Sequence, residues 1–169
     1  RQHQRRPRRC RMNTAYIALG ANLGDPKATV LAAFAALANL PESRVARCSS
    51  LYRTAPVGIL SQPDFVNAVA LLETTLAPEA LLDALLDIEA RFGRIRRERN
   101  GPRTLDLDLL LYDDIELDLP RLTLPHPRLH LRAFVLLPLA EVAPDLAIPR
   151  RGSVAAWLPA VANQGIVRL

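Results

Sequence analysis

The chain is expected to be an α+β fold, a ferredoxin-like βαββαβ sandwich with C-terminal additions, in which helices cover one face of an antiparallel sheet. Three observations predict it. Strand-like runs and helical stripes alternate in the order β-α-β-β-α-β between residues 14 and 112. Glycine and proline clusters punctuate that order. The length of 169 residues, half of them hydrophobic, suits one domain with a substantial core.

The first strand is Ala15-Tyr16-Ile17-Ala18-Leu19, within residues 14–19, and it breaks at Gly20-Ala21-Asn22-Leu23-Gly24. Asp25-Pro26 starts a helix, because Asp caps free N–H groups and Pro suits the first turn. Val30, Leu31, Phe34, Leu37 and Ala38 form its apolar face, and Leu40-Pro41 closes it. Residues 44–53 read as one strand, with Val45, Cys48 and Leu51-Tyr52 as its core side. A loop over residues 54–63 follows, where two prolines and a glycine oppose regular structure. Residues 64–73 are apolar enough for a central strand. Pro78-Glu79 opens a second helix with the stripe Leu81, Leu85, Ile88 and Phe92, and Gly93 stands at its C-terminal cap. A cationic loop then leads to a strand over 104–112. Asp113-Asp114 marks a turn, and a short strand around Ile115 to Leu117 follows. Residues 132–142 read as a buried helix and 154–161 as a small terminal one.

The net charge of +5 belongs to one end. Residues 1–11 hold six of the 22 Lys and Arg residues and no acid, leaving 16 basic against 17 acidic residues, a net −1. A basic arm can bind nucleic acid. Met12 precedes the first strand, however, and residues 1–11 read as a disordered extension ahead of a single domain over 12–169. Cys10 and Cys48 make no CxxC or Cys/His cluster, so zinc, iron–sulfur and dithiol chemistry are unsupported. A cytoplasmic setting is expected, with no membrane or nucleic-acid partner.

The chemistry concentrates in Arg103-Thr104-Leu105-Asp106-Leu107-Asp108. In a strand, alternate side chains share a face, so Asp106 and Asp108 point one way, with Cα atoms ~6.5–7 Å apart, while Leu105, Leu107 and Leu109 point into the core. Two such carboxylates fit magnesium, which leaves its other positions to water and phosphates. Alone, the pair also fits two solvated aspartates. The preceding loop adds Arg94, Arg96, Arg97, Arg99 and Arg103, and arginine binds phosphate bidentately. Arg121, His126, Arg128, His130 and Arg132 follow. An RNA-binding sheet would need exposed aromatics, but aromatic residues are only 5% of the chain.

These stretches, with Tyr52-Arg53-Thr54-Ala55-Pro56-Val57-Gly58, Gln62-Pro63-Asp64-Phe65-Val66-Asn67 and Arg121-Leu122-Thr123-Leu124-Pro125-His126, resemble the 6-hydroxymethyl-7,8-dihydropterin pyrophosphokinases from about Ala15 to Pro149. The resemblance implies transfer of the ATP β,γ-diphosphate to the pterin hydroxymethyl group, releasing AMP, in folate biosynthesis. It implies two magnesium ions on Asp106 and Asp108, with Arg94 and Arg103 as catalytic-loop arginines. Glu89, Arg96, Arg121, Thr123, His126 and Arg132 match nucleotide positions. Gly20, Asn22, Thr54, Ala55, Val57, Phe65, Asn67 and Phe134 match the pterin side, Phe65 and Phe134 as stacking faces. A monomer acting on small molecules is implied. Asn100, Pro127, Phe65 and Leu86 depart from residues found in other members.

Overall fold

The first predicted strand is β1 (Asn13–Ala21) in the computed structural model, which describes residues 12–55, 61–93 and 104–169. Asp25 then caps α1 (Pro26–Ala38): its carboxylate accepts the Ala28 N–H at 3.1 Å, and Pro26 occupies the first turn, where no N–H is needed. Val30, Ala33 and Leu37 are its buried face. Leu31, expected on that face, is 52% exposed. It follows Val30 directly and so points about 100° around the helix, away from the i, i+3, i+7 row.

The single strand expected over 44–53 is two, β2 (Ser43–Cys48) and β3 (Tyr52–Thr54). Both pair antiparallel with β4 (Phe65–Thr74). The break has a hydrogen-bonding cause. The Ser49 hydroxyl accepts the Val69 N–H at 2.9 Å in place of a main-chain carbonyl. The Ser50 N–H turns to the Glu141 carboxylate at 2.9 and 3.0 Å. Cys48, expected in the core, is exposed, as are Arg44, Ala46 and Arg47 beside it in β2. β4 is central, as its apolar density predicts, and carries β1 on its other side.

α2 (Pro78–Arg91) buries Leu81, Leu85 and Ile88, with Phe92 packed on the same core. Gly93 adopts φ +72°, the left-handed conformation that ends a helix. β5 (Asp106–Tyr112) pairs antiparallel with β1. β6 (Leu117–Leu119) and β7 (Leu122–Leu124) form a hairpin. Beyond them lie a 3-10 turn at Leu129–Leu131 and α3 (Ala133–Val142). β8 (Ala147–Ile148) and β9 (Gly152–Ser153) pair with each other. The expected terminal helix is α4 (Val154–Trp157) running into a 3-10 turn at Leu158–Val161. β10 (Ile166–Arg168), which the sequence did not suggest, adds to β3.

The main sheet runs β10-β3-β4-β1-β5, with β2 also on β4. α1 and α2 share one face, packing with Ile17, Leu19, Leu72, Leu105, Leu107 and Leu109. α3 covers the other face, against Tyr16, Val69 and Leu110. The one-face plan therefore holds for α1 and α2 only. Tyr16 and Val69 alternate with the first core's residues, so β1 and β4 are apolar on both sides, and a second layer is needed to cover them.

Candidate active site

Strand register assembles the site. On the α3 side of the sheet, Ala18 stands opposite Asp108, and Gly20 lies between Asp106 and Asn67. Asn67 in turn pairs with Tyr52, and Phe65 with Thr54. Where α3 leaves this end of the sheet uncovered, a cleft of about 740 Å³ opens. Asp106 and Asp108 line it, as do Gly20, Thr54, Ala55, Phe65, Asn67, His126, Arg132 and Phe134. Ten of the residues proposed from sequence thus meet in one space. Leu105, Leu107 and Leu109 are buried on the opposite face, as strand alternation requires.

Gly20 has a steric role. A Cβ there would lie 3.0 Å from Asn67 Oδ1, so glycine lets the Asn67 amide cross the strand. Asn67, buried, donates from Nδ2 to Thr54 Oγ1 at 2.8 Å, which fixes its orientation. Phe65 enters the cleft from the sheet and Phe134 from α3. The Arg132 guanidinium stands 5.4 Å from the Phe134 ring centre, a cation–π contact.

A smaller cleft of about 280 Å³ adjoins the first and shares Asp108, His126 and Pro127 with it. Arg121 and Thr123 line it. Arg121 forms an ion pair with Asp83 of α2. His126 is held through its main chain, whose backbone N–H donates to the Leu110 carbonyl at 2.9 Å. Burial lowers its pKa, against the pull of Asp108, and the Arg132 and Arg128 charges lower it further, so its ring favours the neutral form.

Two proposed residues sit outside both clefts. Asn22, buried, donates to Gln62 Oε1 at 2.9 Å and to the Pro63 carbonyl at 3.0 Å, tying the residue after β1 to the residues that lead into β4. Glu89, 3% exposed, accepts the Leu107 N–H at 3.0 Å and so anchors edge strand β5 to α2. Arg94, Arg96, Arg103 and Val57 lie outside the described residues. The sequence points to Arg128 only among the basic residues around His126 and to Pro127 only as a departure, and it does not point to Gln164 or Leu131 as lining groups. Gln164 carried no signal, because it comes from the far C-terminal end.

Residues 16–144 match the family model described as 7,8-dihydro-6-hydroxymethylpterin-pyrophosphokinase (HPPK). The chain belongs to the HPPK family. A Pseudomonas aeruginosa relative named 2-amino-4-hydroxy-6-hydroxymethyldihydropteridine pyrophosphokinase is 51% identical over 91% of this chain and 95% of its own length. A Haemophilus influenzae HPPK relative of the same name is 44% identical over 94% of this chain and 99% of its own. Among solved structures, an HPPK-DHPS in complex with substrates superposes with TM-score 0.73 at 13% identity, covering 94% of this chain. A Plasmodium falciparum HPPK-DHPS with pterin and p-hydroxybenzoate gives 0.71 at 16% identity, covering 93%. At that identity the likeness is one of fold. The chain spans 47% and 46% of those two longer chains, about half of each.

Proposed function

We propose that this HPPK-family chain transfers the β,γ-diphosphate of ATP to the hydroxymethyl oxygen of 6-hydroxymethyl-7,8-dihydropterin, releasing AMP, in folate biosynthesis. One observation carries the reading. Asp106 and Asp108 face the same cleft as Asn67, Phe65 and Phe134, and a second cleft meets it at Asp108 and His126. A flat ring and a polyphosphate would thus be brought together at the carboxylates.

The two aspartates fit magnesium. Both line the main cleft from one face of β5. Such a sparse carboxylate site suits an ion that keeps water and substrate phosphates as its other ligands. A pair of magnesium ions held there would supply neutralisation of the triphosphate charge. The protein's own part is to bind and align. Thr54 orients the Asn67 amide, leaving Oδ1 to accept from the pterin edge. Phe65 and Phe134 offer stacking faces, with Ala55 beside them in the cleft, and Val57 is proposed to contribute to the same pterin side. Arg121, Thr123, His126 and Arg132 line the nucleotide side, with Glu89 and Asn22 as supports outside both clefts. Arg94, Arg96 and Arg103 belong to the sequence between α2 and β5, the latter of which carries both aspartates. They are proposed to close on the phosphates and stabilise charge as it moves to the leaving AMP.

The same reading includes a ferredoxin-like core, supported by the order β3-β4-β1-β5 with α1 and α2 on one face. It also takes residues 12–169 as one domain, monomeric and cytoplasmic, a setting in which the free thiol of Cys48 is at home. The test is direct. Purified protein given MgATP and the hydroxymethyl pterin should form AMP and the pterin diphosphate in equal amounts, measured by chromatography. Formation of ADP, or no turnover, overturns the proposal.

A further inference from the structure

Gln164 belongs to the C-terminal segment, beyond the residues that match the family model, yet it lines the main cleft. Its amide spans the start of α3. Oε1 accepts the Ala133 N–H at 2.8 Å, and Nε2 donates to the Leu131 carbonyl at 2.9 Å. The bridged backbone carries Arg132, and Phe134 follows at once. Two residues after Gln164, Ile166 pairs in β10 with Thr54, whose hydroxyl holds Asn67. One short segment therefore ties both walls of the cleft together.

We infer that Gln164 is a positioning residue for the pterin. By bridging Leu131 and Ala133 it fixes where Arg132 and Phe134 stand relative to the Thr54–Asn67 wall. No cap from the side chain of Arg132 itself holds the first turn of α3, so the bridge supplies what the helix start lacks. A planar ligand held between two walls is sensitive to their separation. Of the residues proposed for the nucleotide, Arg121 and Thr123 lie by the β6–β7 hairpin away from this bridge, and only Arg132 is carried by it.

This inference rests on the pterin reading above, and its test separates the two. Gln164→Leu keeps the shape and removes both bonds. Its KM for the pterin, at saturating MgATP, should rise about tenfold, the effect of one lost hydrogen-bond pair. Its KM for ATP, which shares only Arg132 with the bridge, should rise by no more than about threefold, and its kcat at saturation should stay within about twofold. Gln164→Glu retains the bond to Ala133 and should restore part of the pterin affinity. An unchanged pterin KM, or equal losses for both substrates, overturns the inference while wild-type turnover still upholds the function. A second measurement needs no variant. In the wild-type protein with MgATP analogue, adding pterin should slow hydrogen exchange at the Ala133 amide, because the ligand selects the bridged state. Exchange there that ignores the pterin overturns the inference even if Gln164→Leu fails to fold. Wild-type protein that neither binds nor turns over the pterin would instead overturn the functional reading.

Discussion

At the scale of single residues, Asp108 is the sharpest case. It is exposed, it faces Ala18 across β1, and it is shared by both clefts. Nothing in the core depends on it. Asp108→Asn should therefore leave stability within about 0.5 kcal/mol, as for other surface changes. Turnover should fall about a hundredfold or more, because on the proposed function a preorganised charge at the reacting phosphates would be lost. Steady-state kinetics beside a thermal melt checks both parts. Turnover surviving at ordinary magnesium would remove Asp108 from the proposed metal site. This residue was legible in the sequence because strand alternation is local: Asp106 and Asp108 share a face whatever the rest of the fold does. The steric reason for Gly20 was not legible, since it exists only once β1 and β4 are in register.

At the scale of elements, the joint between α3 and β3 is the informative one. The Glu141 carboxylate of α3 accepts from the Ser50 N–H at 2.9 and 3.0 Å, from the Ser50 hydroxyl at 2.6 Å, and from the Tyr52 hydroxyl at 2.9 Å. Arg168 of β10 donates to it at 3.1 Å. Burial pushes this carboxyl up, but those donors outweigh it and hold its pKa below the ordinary value. The Tyr52 hydroxyl, buried and beside that charge, is pushed up to about 12 and keeps its proton. A carboxyl whose pKa is lowered by folding contributes stability that is whole above its unfolded pKa, about 4.3, and is lost as pH falls through the folded value. Glu141→Gln should thus melt lower than wild type at pH 7, on the order of 5 °C. The gap should shrink as pH drops below about 4. A gap that stays constant in melts across that range would show that the charge is not what joins the elements. Elements with their own period, such as the Leu81–Leu85–Ile88 stripe, were legible in sequence. β2 and β3 were read as one because their separation is made by Ser49 and by Glu141, 91 residues from Ser50. β8, β9 and β10 are two or three residues long, and their pairing is purely tertiary.

At the scale of the whole molecule, charge is divided between the first 11 residues and the rest. The net +5 becomes −1 once the six arginines of residues 1–11 are set aside. The site itself draws its cations from elsewhere: Arg121, Arg128 and Arg132 line the clefts, and β1 starts only at Asn13. Asn13 opens β1 five positions before Ala18, the first residue of that strand to line the cleft, so it stands about 16 Å along the strand from it at the usual rise. Across that distance an exposed charge is screened, since the Debye length at physiological salt is about 8 Å. A chain starting at Met12 should therefore keep kcat and both KM values within about twofold of the full chain at that ionic strength. It should also cease to bind a cation exchanger at pH 7, where its net charge is −1 rather than +5. Loss of the exchanger binding with turnover intact separates the two charge systems. A tenfold fall in turnover would mean that the extension reaches the clefts and supplies cations there, and the site would then have to be redrawn to include it.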